Sequence, residues 1–241
     1  VRRNRETDGI EQWFRVSCTA ELEDGIQDFR ISDIQIYSKN RRSTQNNLSE
    51  YLVPIIYKEH LDNVAEKFLA KYYPEALTEP MPVPSREVAK RMGLDVQEVH
   101  ITKTCSVFGQ IYFSDCEARH YDSDTREYKP LAVKRGTILI DPNVFFMRNV
   151  GSVNNTIIHE CVHWYKHRKY HELVKTYNSD ALLISCRVNE TTKYKKQWTP
   201  EDWMEWHANG IAPRILMPKS MTIKKIEELI KKNELLFGTH D

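Results

Sequence analysis

Residues 152 to 199 contain neither glycine nor proline, and this constrains the fold more than any other feature of the chain. The two strongest helix breakers are absent, so a helix that starts in this stretch can run on. Inside it lies the run His159-Glu160-Cys161-Val162-His163. Ile157, Cys161 and Trp164 follow an i, i+4, i+7 spacing, the apolar stripe of a core-facing helix. His159, Glu160 and His163 fall on another sector. Asn154 or Asn155 is the expected N-cap, with Gly151-Ser152 as the turn before it.

Residues i and i+4 stand one turn apart on the same face of a helix. His159 and His163 can therefore converge on one metal ion, with the Glu160 carboxylate beside the first of them. The run fits H-E-x-x-H. In that pattern two imidazoles hold Zn²⁺, the ion lowers the pKa of a water to about 7, and the Glu takes its proton. The competing reading is an ordinary amphipathic helix with a histidine-rich solvent face, because His167 and His171 continue the i+4 series.

A catalytic zinc needs a third protein ligand, with the fourth position left for water. A third His at the H-x-x-G-x-x-H spacing is excluded, because Lys166 and Lys169 occupy the Gly and His positions. The remaining candidates downstream are Glu172, Asp180, Glu190, Glu201, Asp202 and Glu205. Glu172 lies far along the same helix, and Glu190 lies in a polar, Lys-rich stretch that reads as a surface loop. Glu205 belongs to a second expected helix, Thr199 to Met217. Its start signal is Thr199-Pro200-Glu201-Asp202, an N-cap followed by Pro and two acids.

The segment Glu205-Trp206-His207-Ala208-Asn209-Gly210-Ile211-Ala212-Pro213-Arg214-Ile215-Leu216-Met217-Pro218 resembles the E-x-x-A-N-x-F-A-x-x-L-L-M-P signature of ImmA/IrrE-type metallopeptidases. It follows the H-E-x-x-H run in the order that family requires. The resemblance covers roughly residues 84 to 217. It implies that Glu205 is the third ligand beside His159 and His163, that Glu160 is the catalytic base, and that one Zn²⁺ is held per chain. It also implies a gluzincin-like α+β fold, a zincin-like metallopeptidase domain with a small mixed sheet packed on the H-E-x-x-H helix. The implied activity is that of a zinc endopeptidase, and the implied partner is a protein substrate, a helix-turn-helix transcriptional repressor. Val162 stands where the family has Gly, Ile211 where it has Phe, Pro213 is unexpected inside a helix, and the insertion between Tyr165 and Trp198 is long. None of these departures removes a ligand.

Several further expectations follow from the residues. Thr137, Ile138, Leu139 and Ile140 form a strand just before the motif helix. Zincin-like peptidases hold substrate as a strand added to a sheet edge, a role open to these four residues, as is that of a core strand. His207 and Tyr165 are candidate oxyanion donors. Strands are also expected at Val99 to Thr104 and Val107 to Phe113. Tyr51 to Tyr73 reads as mostly helix, Ser85 to Met92 as a short helix closed by Gly93, and Ser220 to Leu236 as an amphipathic helix. Near the N-terminus, Trp13 to Tyr37 reads as a hairpin around Glu23-Asp24-Gly25, followed by a polar linker from Ser38 to Ser49. The expected division is residues 1–48 as a β-rich extension and 49–241 as the peptidase domain.

Composition narrows the partners. The net charge is +1, from 35 basic and 34 acidic residues, so there is no global footprint for nucleic acid. Ser85 to Leu94 resembles the start of a helix-turn-helix unit, but the residues after it favour a strand, and direct DNA binding is not expected. Five Cys without regular spacing argue against a disulfide framework and for a reducing, cytoplasmic setting. No apolar run approaches membrane-spanning length, and no signal-peptide pattern is present. The first residue is Val rather than Met, consistent with a native N-terminus further upstream. The competing class is a non-catalytic, metal-stabilised sensor or binding module on the same fold.

Overall fold

The computed structural model describes residues 2–3, 10–21, 27–37, 53–177, 183–187 and 198–237. The chain divides into two compact units, Val1–Asn46 and Asn47–Asp241. The first contains an antiparallel hairpin of β1 (Phe14–Glu21) and β2 (Gln27–Ile36). Phe14 pairs with Ile36 and Val16 with Ile34. The expected turn at 23–25 and the linker at 38–49 lie outside the described residues.

The second unit is a mixed α+β assembly. Its helices are α1 (Leu61–Tyr72), α2 (Ser85–Arg91), α3 (Asn143–Met147), α4 (Val150–Tyr177), α5 (Pro200–Leu216) and α6 (Lys219–Phe237). Its strands are β3 (Asp95–Glu98), β4 (Val107–Tyr112), β5 (Cys116–Asp122), β6 (Glu127–Val133), β7 (Thr137–Ile140) and β8 (Leu183–Arg187). Four of them form one sheet in the order β8-β4-β7-β3, and β5 and β6 form a separate hairpin. Among the described residues no helix is long and apolar enough to cross a membrane.

α4 is the axis of the unit. It packs on α5, α2, β4 and β7. Ile157, Ile158, Cys161, Val162 and Trp164 join Phe68, Leu69, Ile138, Ile140, Ile211 and Ile215 in the main core. Every residue from Thr156 to Trp164 is buried, so the middle of α4 is covered all round. Polar side chains placed there must find partners, because burying them alone is costly.

α4 begins earlier than the sequence suggests. Its cap is Asn149, whose Oδ1 accepts from the Ser152 amide at 2.8 Å. Asn154, one of the two expected caps, instead takes a hydrogen bond from Ser85 Oγ through its own Oδ1 at 2.8 Å and so ties α4 to α2. α5 begins as expected. Thr199 Oγ1 accepts from the Asp202 amide and Asp202 accepts from the Thr199 amide, a complete capping box. α5 also lies against α1. A Cβ on Gly210 would stand 3.0 Å from Leu61 Cδ1, so only glycine permits this approach without displacement. Gly93 closes α2 with φ of 75°, the left-handed value that a helix C-terminus favours in glycine.

Two expectations about the strands need correction, and one hairpin is new. The strand expected at 99–104 lies earlier, at Asp95–Glu98, where it pairs in parallel with β7. Ile101 is buried outside any strand, its amide donating to Asp141 Oδ2. The hairpin of β5 and β6 was not expected at all. Thr137, Ile138, Leu139 and Ile140 do not form a sheet edge. β7 lies between β3 and β4, and its main chain bonds to both neighbours. The role of receiving an added substrate strand is therefore not open to these four residues; they are core. The outer side of β4 is covered in turn by β8, from the long insertion after Tyr165.

Candidate metal centre

His159 and His163 stand one turn apart on α4, and Glu205 faces them from the second turn of α5. His159 Nε2 lies 3.3 Å from Glu205 Oε2, His163 Nε2 lies 3.3 Å from Glu205 Oε1, and the two Nε2 atoms are 2.9 Å apart. The three residues each bring one ligand atom within 4.8 Å of the others. The donor set can be tested against a metal. For Zn–N and Zn–O bonds of about 2.0–2.1 Å in a tetrahedron, neighbouring donors stand about 3.3 Å apart. The two 3.3 Å distances end on different oxygens of the one Glu205 carboxylate, and the Nε2–Nε2 separation is a few tenths of an ångström below the tetrahedral value. By donor type and mutual distance the three residues fit a shared divalent cation.

The electrostatics agree with that use. Burial alone would raise the Glu205 carboxyl, but the facing His159 and His163 imidazoles outweigh it and hold the group well below the ordinary carboxylate range. Burial lowers His163, with Glu205 opposing the shift. An ionised Glu205 beside a His163 whose pKa is lowered matches the deprotonated donors that a divalent ion needs.

The other downstream acids are engaged elsewhere. Glu172 pairs with Arg135 at 2.5 Å, Glu201 accepts from the Tyr170 hydroxyl at 3.2 Å, and Asp202 caps α5. Asp180 and Glu190 lie outside the described residues. Among the described acids of that group, Glu205 alone reaches both histidines.

Glu160 is fully buried. Its carboxylate faces β4 at Gly109, where an added Cβ would stand 3.0 Å from Glu160 Oε1 and 2.6 Å from Thr156 Cγ2. Gly109 therefore provides the space in which Glu160 sits. Glycine inside a strand pattern is a signal for such close approach, and it was available in the sequence.

The contacts of the two candidate oxyanion donors are with other rings. The Tyr165 ring packs edge-on against Phe68 and Tyr72 of α1, at 5.3 and 5.9 Å between centroids. His207 faces His167, with 3.3 Å between His207 Nδ1 and His167 Nε2. The solvent-face reading of the histidine series also fails, because His167 and His171 are buried with the candidate ligands. Burial, reinforced by the neighbouring histidines, drives His167 well below its ordinary pKa and brings His207 to about 4. Cys161 is buried in the core, as its place on the apolar stripe suggests.

Compared with known proteins, the chain matches no family model, no curated protein and no solved structure.

Proposed function

We propose that the protein is a zinc-dependent endopeptidase with a zincin-like fold. The observation that carries this reading is the convergence of His159, His163 and Glu205, one ligand atom from each within 4.8 Å of the others, with Glu160 next to His159 on the same helix. Two imidazoles and a carboxylate form the ligand set of several zinc peptidases. When bound, Zn²⁺ would polarise a peptide carbonyl and acidify a water.

The chain's own residues supply the rest. His159 and His163 offer Nε2 lone pairs, and Glu205 offers the negative charge that balances part of the cation. Glu160 accepts the proton of the attacking water at a carboxylate oxygen. It then returns that proton to the departing amine nitrogen as the C–N bond breaks. The packed surroundings of Glu160 and His163 keep bulk water away, which strengthens each charge interaction there.

The substrate we propose is a specific protein, a helix-turn-helix repressor, in the cytoplasm. This part rests on the resemblance of Glu205 to Pro218 to the ImmA/IrrE signature. The same triad would also serve a metal-stabilised binding module. Glu160 favours hydrolysis, because it occupies the position that H-E-x-x-H gives to the general base. The test is Glu160→Gln. That variant should bind zinc like the wild type and lose cleavage of a protein substrate by at least about a hundredfold, as expected for loss of a general base. Equal cleavage by the variant would refute the mechanism.

A further inference from the structure

The histidines of α4 continue past the candidate ligands in single file. His163 Nδ1 lies 3.0 Å from His167 Nδ1, and His167 Nε2 lies 3.3 Å from His207 Nδ1. All three rings are buried, at 0%, 0% and 2% exposure. The file leaves α4 at His167 and enters α5 at His207, two residues beyond Glu205. It thus returns to the helix that carries the third ligand.

A neutral imidazole has one N–H and one bare nitrogen. The three tautomers are therefore linked. A His163 that gives its Nε2 lone pair to a cation carries its proton on Nδ1. That N–H faces His167 Nδ1, which must be bare, so His167 carries its proton on Nε2. The His167 Nε2–H faces His207 Nδ1, which must also be bare, so His207 carries its proton on its own Nε2. One other neutral arrangement satisfies both contacts, with all three protons reversed, but it places the His163 proton on Nε2 and denies that nitrogen to a cation; the rest set two N–H groups or two lone pairs against each other in a buried site. Leaving one such polar group unsatisfied costs about 1–3 kcal/mol.

We propose that His167 and His207 are positioning residues, a directed hydrogen-bond relay that fixes His163 as an Nε2 metal ligand. This rests on the reading of His159, His163 and Glu205 as a metal centre. The relay braces one ligand and not the other. His159 Nδ1 is buried without a hydrogen-bond partner among the described residues. Ring orientation and donor strength at His163 are thus set by α5, through His207, as well as by α4. Groups bonded to the far nitrogen of a metal-binding His commonly act this way.

The experiment compares the full chain with His167→Leu, His207→Leu and His207→Gln, the last of which keeps a polar acceptor. Zinc affinity is measured by competition with a chromophoric chelator. The visible absorption of Co²⁺-loaded protein and the thermal midpoint of metal-free protein are recorded beside it. The two Leu variants should lose about 10- to 100-fold in zinc affinity and shift the cobalt bands. His207→Gln should stay within about threefold of wild type, with its cobalt bands unmoved. Wild-type zinc binding with Leu variants of equal affinity and identical cobalt spectra would overturn the relay and leave the metal centre standing. A wild type that binds no zinc would overturn both. Should the Leu variants fail to fold, ¹⁵N NMR of zinc-loaded wild type decides. The relay requires the Nδ1–H form at His163 and the Nε2–H form at His167 and His207, and the opposite tautomer at any of the three refutes it.

Discussion

Gly109→Ala is a small change at a site that has no room for it. The new methyl would stand 2.6 Å from Thr156 Cγ2, 3.0 Å from Glu160 Oε1 and 3.3 Å from Ile140 Cδ1. All three neighbours are buried. Thr156 cannot simply rotate away, because its hydroxyl donates to the Ser152 carbonyl at 2.9 Å. Overpacking of a well-filled core costs about 1–3 kcal/mol. The reduced freedom of the unfolded chain returns about 0.4–1 kcal/mol for Gly→Ala. The net loss should be about 1–2 kcal/mol, which lowers the melting temperature of a unit this size by roughly 2–8 °C. Calorimetry of metal-free protein measures it. Thr156→Ser removes the colliding methyl and keeps the hydroxyl. In the Gly109→Ala background it should recover at least about 0.5 kcal/mol, a coupling typical of touching residues. A Gly109→Ala protein as stable as wild type, or a double variant no better than the sum of its parts, would refute the packing described around Glu160.

Two other outcomes follow from the same site. Zinc at about a hundred times its dissociation constant should stabilise the fold by about 2.7 kcal/mol, and chelation should remove that gain; thermal scans with and without chelator measure it. His171 stacks on Phe113 with 4.4 Å between ring centroids, and burial pushes its pKa down to about 3. An unfolded imidazole titrates near about 6.5. Between these values the unfolded chain holds a proton that the folded chain does not. The stability linked to His171 is therefore complete above about pH 6.5 and is lost as the pH falls toward 3, by at most about 1.4 kcal/mol per pH unit. His171→Gln should flatten the slope of urea-derived stability between pH 6 and 4 in metal-free protein, and parallel slopes would contradict the assignment.

Local physics explains what the sequence disclosed. The H-E-x-x-H spacing depends only on helix geometry, and Thr199-Pro200-Glu201-Asp202 is a self-contained helix start. Both appear as read. The start of α4 was misplaced because Asn149 and Asn154 are equally good caps by residue type, and the bond from Ser85 to Asn154 is a tertiary contact. The burial of His167 was hidden for a similar reason. A histidine ladder on one helix looks like a solvent face until α5 is laid over it, and His207 arrives forty residues later in sequence. Sheet order was the least legible feature. β8 reaches β4 across the insertion, and β3 pairs with β7 across a strand hairpin, so nothing in the pattern of Thr137 to Ile140 told an edge from a centre. Gly109 carried the one overlooked signal that was local.

The central claim is that His159, His163 and Glu205 hold one zinc. Equilibrium zinc titration of wild type beside Glu205→Ala and Glu190→Ala tests it most directly. One zinc per chain is expected in wild type and in Glu190→Ala, with affinity strongly reduced in Glu205→Ala. Undiminished zinc binding by Glu205→Ala, or its loss in Glu190→Ala alone, would contradict it.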